Sequence, residues 1–110
     1  MDISKRVENG ISVFVLSGRI DTEGAAEMDA ALQAAVSDGE HKMVLDMAAV
    51  QYICSAGLRT LADVFTKNRG AGGDLKLAAM DDKVARILQT IGFDKFFALY
   101  DTVQAAVADF

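Results

Sequence analysis

A hydroxyl beside a thiol is the first chemistry that the sequence offers. Ser55 follows Cys54 and precedes Ala56, Gly57 and an apolar helical repeat. This spacing puts Ser55 at the start of a helix, where backbone N–H groups, Gly57 and Leu58 included, begin without intrahelical acceptors. The hydroxyl then either caps the helix, worth about 1 kcal/mol, or accepts a phosphoryl group. A phosphate adds about two negative charges, which the positive end of a helix dipole tolerates. Asp21 follows the strand ending near Leu16 and Asp46 ends the next strand; both are expected beside Ser55 at the carboxyl edge of an α/β sheet, where such folds gather functional groups. Each either closes a cap or turn or shapes contacts around the hydroxyl.

Other chemistries fare worse. A thiol at a helix start can be reactive, but Cys54 has no second cysteine at C-x-x-C spacing, and the chain has no proline to stand opposite a redox thiol. A small packing role suits a lone cysteine better. His41, the only histidine, falls in a turn before a strand, on the opposite side of the sheet from Ser55. A Gly-x-Ser-x-Gly elbow is absent, and one His with one Cys cannot build a structural zinc site. The expectation is a protein that is not an enzyme and carries no cofactor.

The elements that must position these residues are readable from periodicity. Asn9-Gly10 is a type I′ hairpin signal between Ile3–Val7, with Ile3, Lys5 and Val7 on one face, and Ile11–Leu16, apolar enough to be buried on both faces. Ala25, Met28, Leu32, Ala35 and Val36 recur at helical spacing, with Glu27, Asp29 and Gln33 facing away. Asp21 or Thr22 caps that helix and Gly39 lies past its end. Met43–Leu45 is a short strand ending in Asp46. Leu58, Leu61, Ala62 and Phe65 mark a second helix, closed by Gly70–Gly73. Leu75–Ala79 is a strand. Asp81 opens a helix with Val84, Ile87, Leu88 and Ile91 buried and Gly92 as its stop. Phe96–Tyr100 is a last strand. Asp101 opens a terminal helix carrying Val103, Ala106, Val107 and Phe110 on one face. After the hairpin, helices and strands alternate, which implies parallel strands and right-handed crossovers. The predicted class is α/β: a mixed sheet of four or five strands, the first antiparallel at an edge, with about four helices mainly on one face.

Bulk composition sets the boundaries. The 110 residues fit one domain spanning 1–110. The net charge of −5 argues against nucleic acid, which demands a basic surface, and against an anionic membrane surface. No apolar run is long enough to span a bilayer. The beginning of the chain lacks a signal-peptide pattern, and a single cysteine suits a reducing compartment. The expected location is cytoplasmic. The oligomeric state stays open.

Three pieces, in order, carry a family resemblance. Val44-Leu45-Asp46-Met47-Ala48-Ala49-Val50-Gln51-Tyr52-Ile53-Cys54-Ser55-Ala56-Gly57-Leu58 resembles the signature of the STAS family, named for sulfate transporters and anti-sigma factor antagonists. Ser17-Gly18-Arg19-Ile20-Asp21 resembles the family's turn before its first helix. Ile91-Gly92-Phe93-Asp94-Lys95-Phe96-Phe97 and Tyr100-Asp101-Thr102 resemble its late motifs. The resemblance implies an anti-sigma factor antagonist. Its partner is an anti-sigma factor that is also a serine kinase. The unmodified antagonist binds that kinase, phosphorylation at Ser55 releases it, and a serine phosphatase restores it. The implied partner-binding set is Asp21, Asp46, Cys54, Ser55, Ala56, Gly57 and Arg59. The chain departs from the family at Cys54, where Asp is usual, and at Ala56, where a second hydroxyl is usual. Both departures suit the alternative role, a non-switching scaffold or accessory subunit of a signalling or lipid-transport complex.

Overall fold

Asn9 and Gly10 take φ angles of 52° and 77° and close the hairpin between β1 (Asp2–Glu8) and β2 (Ile11–Ile20), with Glu8 opposite Ile11. The computed structural model describes all 110 residues. After the hairpin come α1 (Thr22–Ser37), β3 (Lys42–Ile53), α2 (Ser55–Gly70), β4 (Asp74–Ala78), α3 (Asp82–Thr90), a 3₁₀ turn (Phe93–Lys95), β5 (Leu99–Tyr100) and α4 (Val103–Ala108). The five strands lie in sequence order, β1-β2-β3-β4-β5. Only β1 runs antiparallel to its neighbour.

The handedness rule accounts for the layers. Each crossover from β2 to β5 steps one strand in the same direction, so right-handed connections put α1, α2 and α3 on one face. That face holds the larger core: 19 buried residues, including Phe14 and Leu16 of β2, Met28 and Leu32 of α1, Leu61 and Val64 of α2, and Val84 and Leu88 of α3. The other face is covered by α4 alone, which packs Val103 and Ala106 on Ile11, Val13, Val44 and Ala78. Lys76, the only charged side chain among the buried residues, points to this second face. Its ammonium donates to the Asp109 carbonyl at 2.6 Å and sits 4.1 Å from the Phe110 ring, which ties the end of α4 to the sheet.

Several boundaries differ from the sequence expectation. β2 continues through Ser17, Gly18 and Arg19 to Ile20, and β3 continues past Asp46 to Ile53. The two extensions pair with each other through two register shifts. Polar and small residues therefore persist in strand because a partner strand supplies their hydrogen bonds. The last strand shrinks to Leu99–Tyr100. Phe97 leaves the ladder to pack its ring against Phe65 and Phe93, at centroid distances of 4.6 and 5.4 Å. Thr102, not Asp101, caps α4 by accepting from the Ala105 amide. Ile91 falls at the C-cap of α3 and Val7 near the end of β1; both are exposed, as is Phe110. Asp29 and Gln33 are half-buried and do not simply face away from the neighbouring helix. Asp29 accepts from Thr60 of α2 at 3.3 Å, and Gln33 donates to Asp63 at 2.7 Å, so this polar row joins the two helices.

Candidate functional site

Two strand ends and two helix starts meet at the carboxyl edge of the sheet. Ile20 and Ile53 are register partners, both buried. The Cys54 amide donates to the Ile20 carbonyl at 2.8 Å, which fixes the turn into α2 against the turn into α1. Close packing at this junction depends on two glycines. A Cβ on Gly57 would stand 2.7 Å from Ile20 Cγ2 and 2.8 Å from Ile53 Cγ1, and a Cβ on Gly24 would stand 2.5 Å from the Arg19 carbonyl oxygen.

The two helix starts are built alike but finished differently. Asp21 is the N-cap of α1, and its Oδ1 accepts from the Gly24 amide at 2.9 Å. Cys54 holds the same extended cap position before α2, with φ −88° and ψ 173°, but its side chain accepts no hydrogen bond there. The thiol is half-buried against the larger core. Ser55 is the first helical residue, one position beyond the cap, and is exposed. It therefore does not play the capping role that its residue type suggests. Leu58 makes the first α2 bond, donating to the Cys54 carbonyl at 3.0 Å, so the expectation of a free Leu58 amide is corrected. The amides of Ser55, Ala56 and Gly57 have no backbone acceptor. Asp81 and Thr102 cap α3 and α4 with side-chain oxygens, so α2 is the one α-helix without a side-chain cap. Its first turn also contains no acidic residue.

Beside Ser55 lies a shallow groove between α1 and α2, of about 310 Å³, lined by Thr22, Ala25, Ala26, Asp29, Ala56, Arg59 and Thr60. Small side chains on both helices open it, and Arg59 forms part of its wall. Asp21, Cys54, Ser55, Ala56, Gly57 and Arg59 thus converge on one corner of the molecule. Asp46 does not join them. It lies in the middle of β3, level with Val15 of β2 and Ala78 of β4, seven residues before Ile53, or roughly 20 Å along a strand. Its carboxylate accepts from the Ala48 amide at 3.1 Å, at the point where the β2–β3 register shifts. Asp46 lines a different shallow cavity, with Arg6, Asp101 and Thr102 among its neighbours. The corner around Ser55 is consequently mixed in charge, with Asp21 and Glu23 on one side and Arg19 and Arg59 on the other, rather than acidic. His41 sits at the far end of β3, its Nδ1 3.3 Å from Asn68 Oδ1.

Arg19 and Tyr52 have no role in the sequence analysis beyond their places in the family motifs. They are register partners, and the Arg19 guanidinium stacks 4.4 Å from the Tyr52 ring centre, two residues before Asp21 and Cys54 respectively. Only the register of the two extensions reveals the pair. No helix is long and apolar enough to cross a membrane.

Comparison with known proteins places this geometry. The profile of the STAS domain matches residues 2–106. RsfB of Mycobacterium tuberculosis, an anti-sigma-F factor antagonist, is 31% identical over 99 residues, covering 90% of this chain and 80% of RsfB. The crystal structure of an anti-sigma factor antagonist from Mycobacterium paratuberculosis is 30% identical, with a TM-score of 0.89 over 98% of this chain and 92% of that one. At the level of fold alone, SpoIIAA of Bacillus matches in its unphosphorylated form (TM-score 0.83, 15% identity, 96% of this chain and 93% of that one) and in its phosphorylated form (TM-score 0.77, 14% identity, 98% of each). With nearly its whole length matched by the profile, and relatives of about this size sharing close to a third of its residues, the chain belongs to the STAS domain family.

Proposed function

We propose that this chain is an anti-sigma factor antagonist and that Ser55 is its phosphate acceptor. In the unmodified state its Ser55 corner binds a serine-kinase anti-sigma factor. Transfer of a phosphoryl group from the kinase's nucleoside triphosphate forms the Ser55 Oγ–P bond, breaks the bond to the nucleoside diphosphate and releases the Ser55 proton. The product leaves the complex, and a serine phosphatase hydrolyses the ester to restore the hydroxyl. The chain is thus a substrate and a regulator, not a catalyst, and its place of action is the cytoplasm.

One observation carries the reading: Ser55 is an exposed hydroxyl at the first position of the only α-helix whose start no side chain caps. Amides and dipole are therefore available to an incoming anion, and attachment of the phosphate requires no native hydrogen bond of the cap to break. The relatives named as anti-sigma factor antagonists and the existence of SpoIIAA in both phosphorylation states support the same assignment. Asp21, Cys54, Ala56, Gly57 and Arg59 form the contact surface around the hydroxyl. A phosphate placed there opposes an acidic-rimmed kinase site, and like charges across an interface cost several kcal/mol.

The test is mass spectrometry of the protein purified from its native cells, followed by titration of unmodified, Ser55-phosphorylated and Ser55→Asp protein against the cognate kinase. Phosphate on Ser55 and weaker binding of the phosphorylated form are expected. Cys54, a thiol where the family usually has a carboxylate, favours the second reading, a non-switching scaffold or accessory subunit. Absence of phosphate in cells together with equal or tighter binding of the phosphorylated form would decide for that reading.

A further inference from the structure

Arg59 is a cation without a partner in this fold. It takes part in none of the six ion pairs and in none of the cation–ring stacks. Asp29, which shares the groove with it, is already engaged by Thr60 and Gln33. The other arginine at this corner, Arg19, is held on the Tyr52 ring. Arg59 lies four residues after Ser55 on α2, and both are exposed. Residues at this spacing are neighbours on a helix surface. Long helical side chains lean back toward the N-terminus, so the Arg59 guanidinium leans toward the turn that carries Ser55. An anion at i with a cation at i+4 is also the favoured orientation of such a pair, because each charge then complements the helix dipole.

Resting on Ser55 as the phosphate acceptor, we propose that Arg59 is the internal receptor of that phosphate. In the unmodified protein its guanidinium stands at the wall of the α1–α2 groove, free to meet a carboxylate of the partner. Once Ser55 is phosphorylated, the planar fork of Arg59 turns onto the non-bridging phosphate oxygens, a geometry that guanidinium and phosphate share. The modification therefore acts twice at one surface. It adds an anion and removes the cation that the partner used. Arg59 is a specificity residue of the switch, not a structural one.

The experiment needs no kinase. Phosphoserine is incorporated at position 55 of the full chain during translation, and its second ionisation is followed by phosphorus NMR as pH is varied around the usual value of about 6. A guanidinium on the phosphate favours the dianion, so the parent protein is expected to titrate about 0.2 to 0.4 pH units below Arg59→Gln, the size expected of an exposed pair one turn apart. Arg59→Lys should fall between them, and Arg19→Gln should match the parent. Identical titrations of the parent and Arg59→Gln would overturn the proposal, as would a larger shift from Arg19→Gln. Should the glutamine variant fail to fold, the lysine variant decides: a titration equal to the parent's rejects the forked contact. Because the phosphate is installed directly, a negative result here condemns the role of Arg59 and leaves the Ser55 assignment to the mass-spectrometric test.

Discussion

The starts of α1 and α2 are two versions of one construction. Ile20-Asp21-Thr22-Glu23-Gly24 and Ile53-Cys54-Ser55-Ala56-Gly57 each run from a buried strand end, through an extended cap residue, to a hydroxyl at the first helical position and a glycine two places later. In α1 the cap is a carboxylate that engages the glycine amide, and a glutamate joins the first turn. In α2 the cap is a thiol, the glycine amide is unclaimed and no acid is present. Thr22 and Ser55 thus occupy equivalent positions in different electrostatic settings. A phosphate on Thr22 would meet Asp21 and Glu23; one on Ser55 would meet open amides and stand one turn from Arg59. The difference lies in what surrounds each hydroxyl, not in the hydroxyl itself.

The largest effects should come from the glycines that both starts share. Gly24→Ala forces a methyl against a backbone oxygen that cannot rotate away, while Gly57→Ala meets two isoleucine side chains that can shift in part. Overpacking of this kind costs about 1–3 kcal/mol. In urea unfolding Gly24→Ala should lose more than Gly57→Ala, and a reversal would mean that the α1 turn relaxes more easily than its contacts imply. Next in size is the cap exchange. Asp21→Ala should cost about 1 kcal/mol, and Cys54→Asp should gain about the same by accepting from the Gly57 amide. If Cys54→Asp gives no gain, the two starts are not equivalent and the amides of α2 are less available than their geometry indicates.

Ser55→Ala belongs to the smaller effects. Because Ser55 does not cap α2, its removal should change stability by less than about 0.5 kcal/mol, as for an ordinary surface position, while abolishing phosphate uptake in the kinase assay. A loss nearer that of Asp21→Ala would give the hydroxyl a structural role after all. The smallest effect is expected at the opposite end of the sheet, where Glu40 supplies a control. Hydrogen bonds from Lys5 and then Ser12 hold its carboxyl below the usual carboxylate range. A depressed folded-state pKa stabilises above the unfolded value and is lost as pH falls through the folded one. The parent should therefore lose its advantage over Glu40→Gln below the ordinary glutamate range, as followed by acid unfolding curves, while the difference between Asp21→Ala and Cys54→Asp persists at neutral pH.

Some features were legible from residue type because few residues can do the job. Asn9-Gly10 and Gly92 take positive φ, and Asp81 caps α3, all as sequence chemistry dictates. The alternation of helix and strand was enough to give the mixed sheet and its parallel pairs. The misreadings have particular causes. Ser55 is the preferred cap type and Cys54 is not, yet the chain puts the thiol in the cap, so propensity pointed one residue too far. Asp46 read as a strand end because acids usually terminate strands, whereas here its own carboxylate satisfies the irregular backbone and the strand goes on. Asp29 and Gln33 read as solvent-facing because helical periodicity shows which residues are polar but not that a second helix brings polar partners. The stacking of Arg19 on Tyr52 depends on register, which no local pattern encodes.

The sequential order of the sheet has a consequence for how the chain reaches this state. No strand has to slip between two others already in place. Once the hairpin has formed, β3, β4 and β5 can each be added at the growing edge, with one helix closing each step. Each closure spans a loop of only a few tens of residues, whose entropic cost rises slowly with length. Growth from the hairpin also has a direction. The turn that carries Ser55 leaves β3 before β4 docks, so the Ser55 corner, built from the ends of β2 and β3 and the starts of α1 and α2, can be complete before the far edge of the sheet exists.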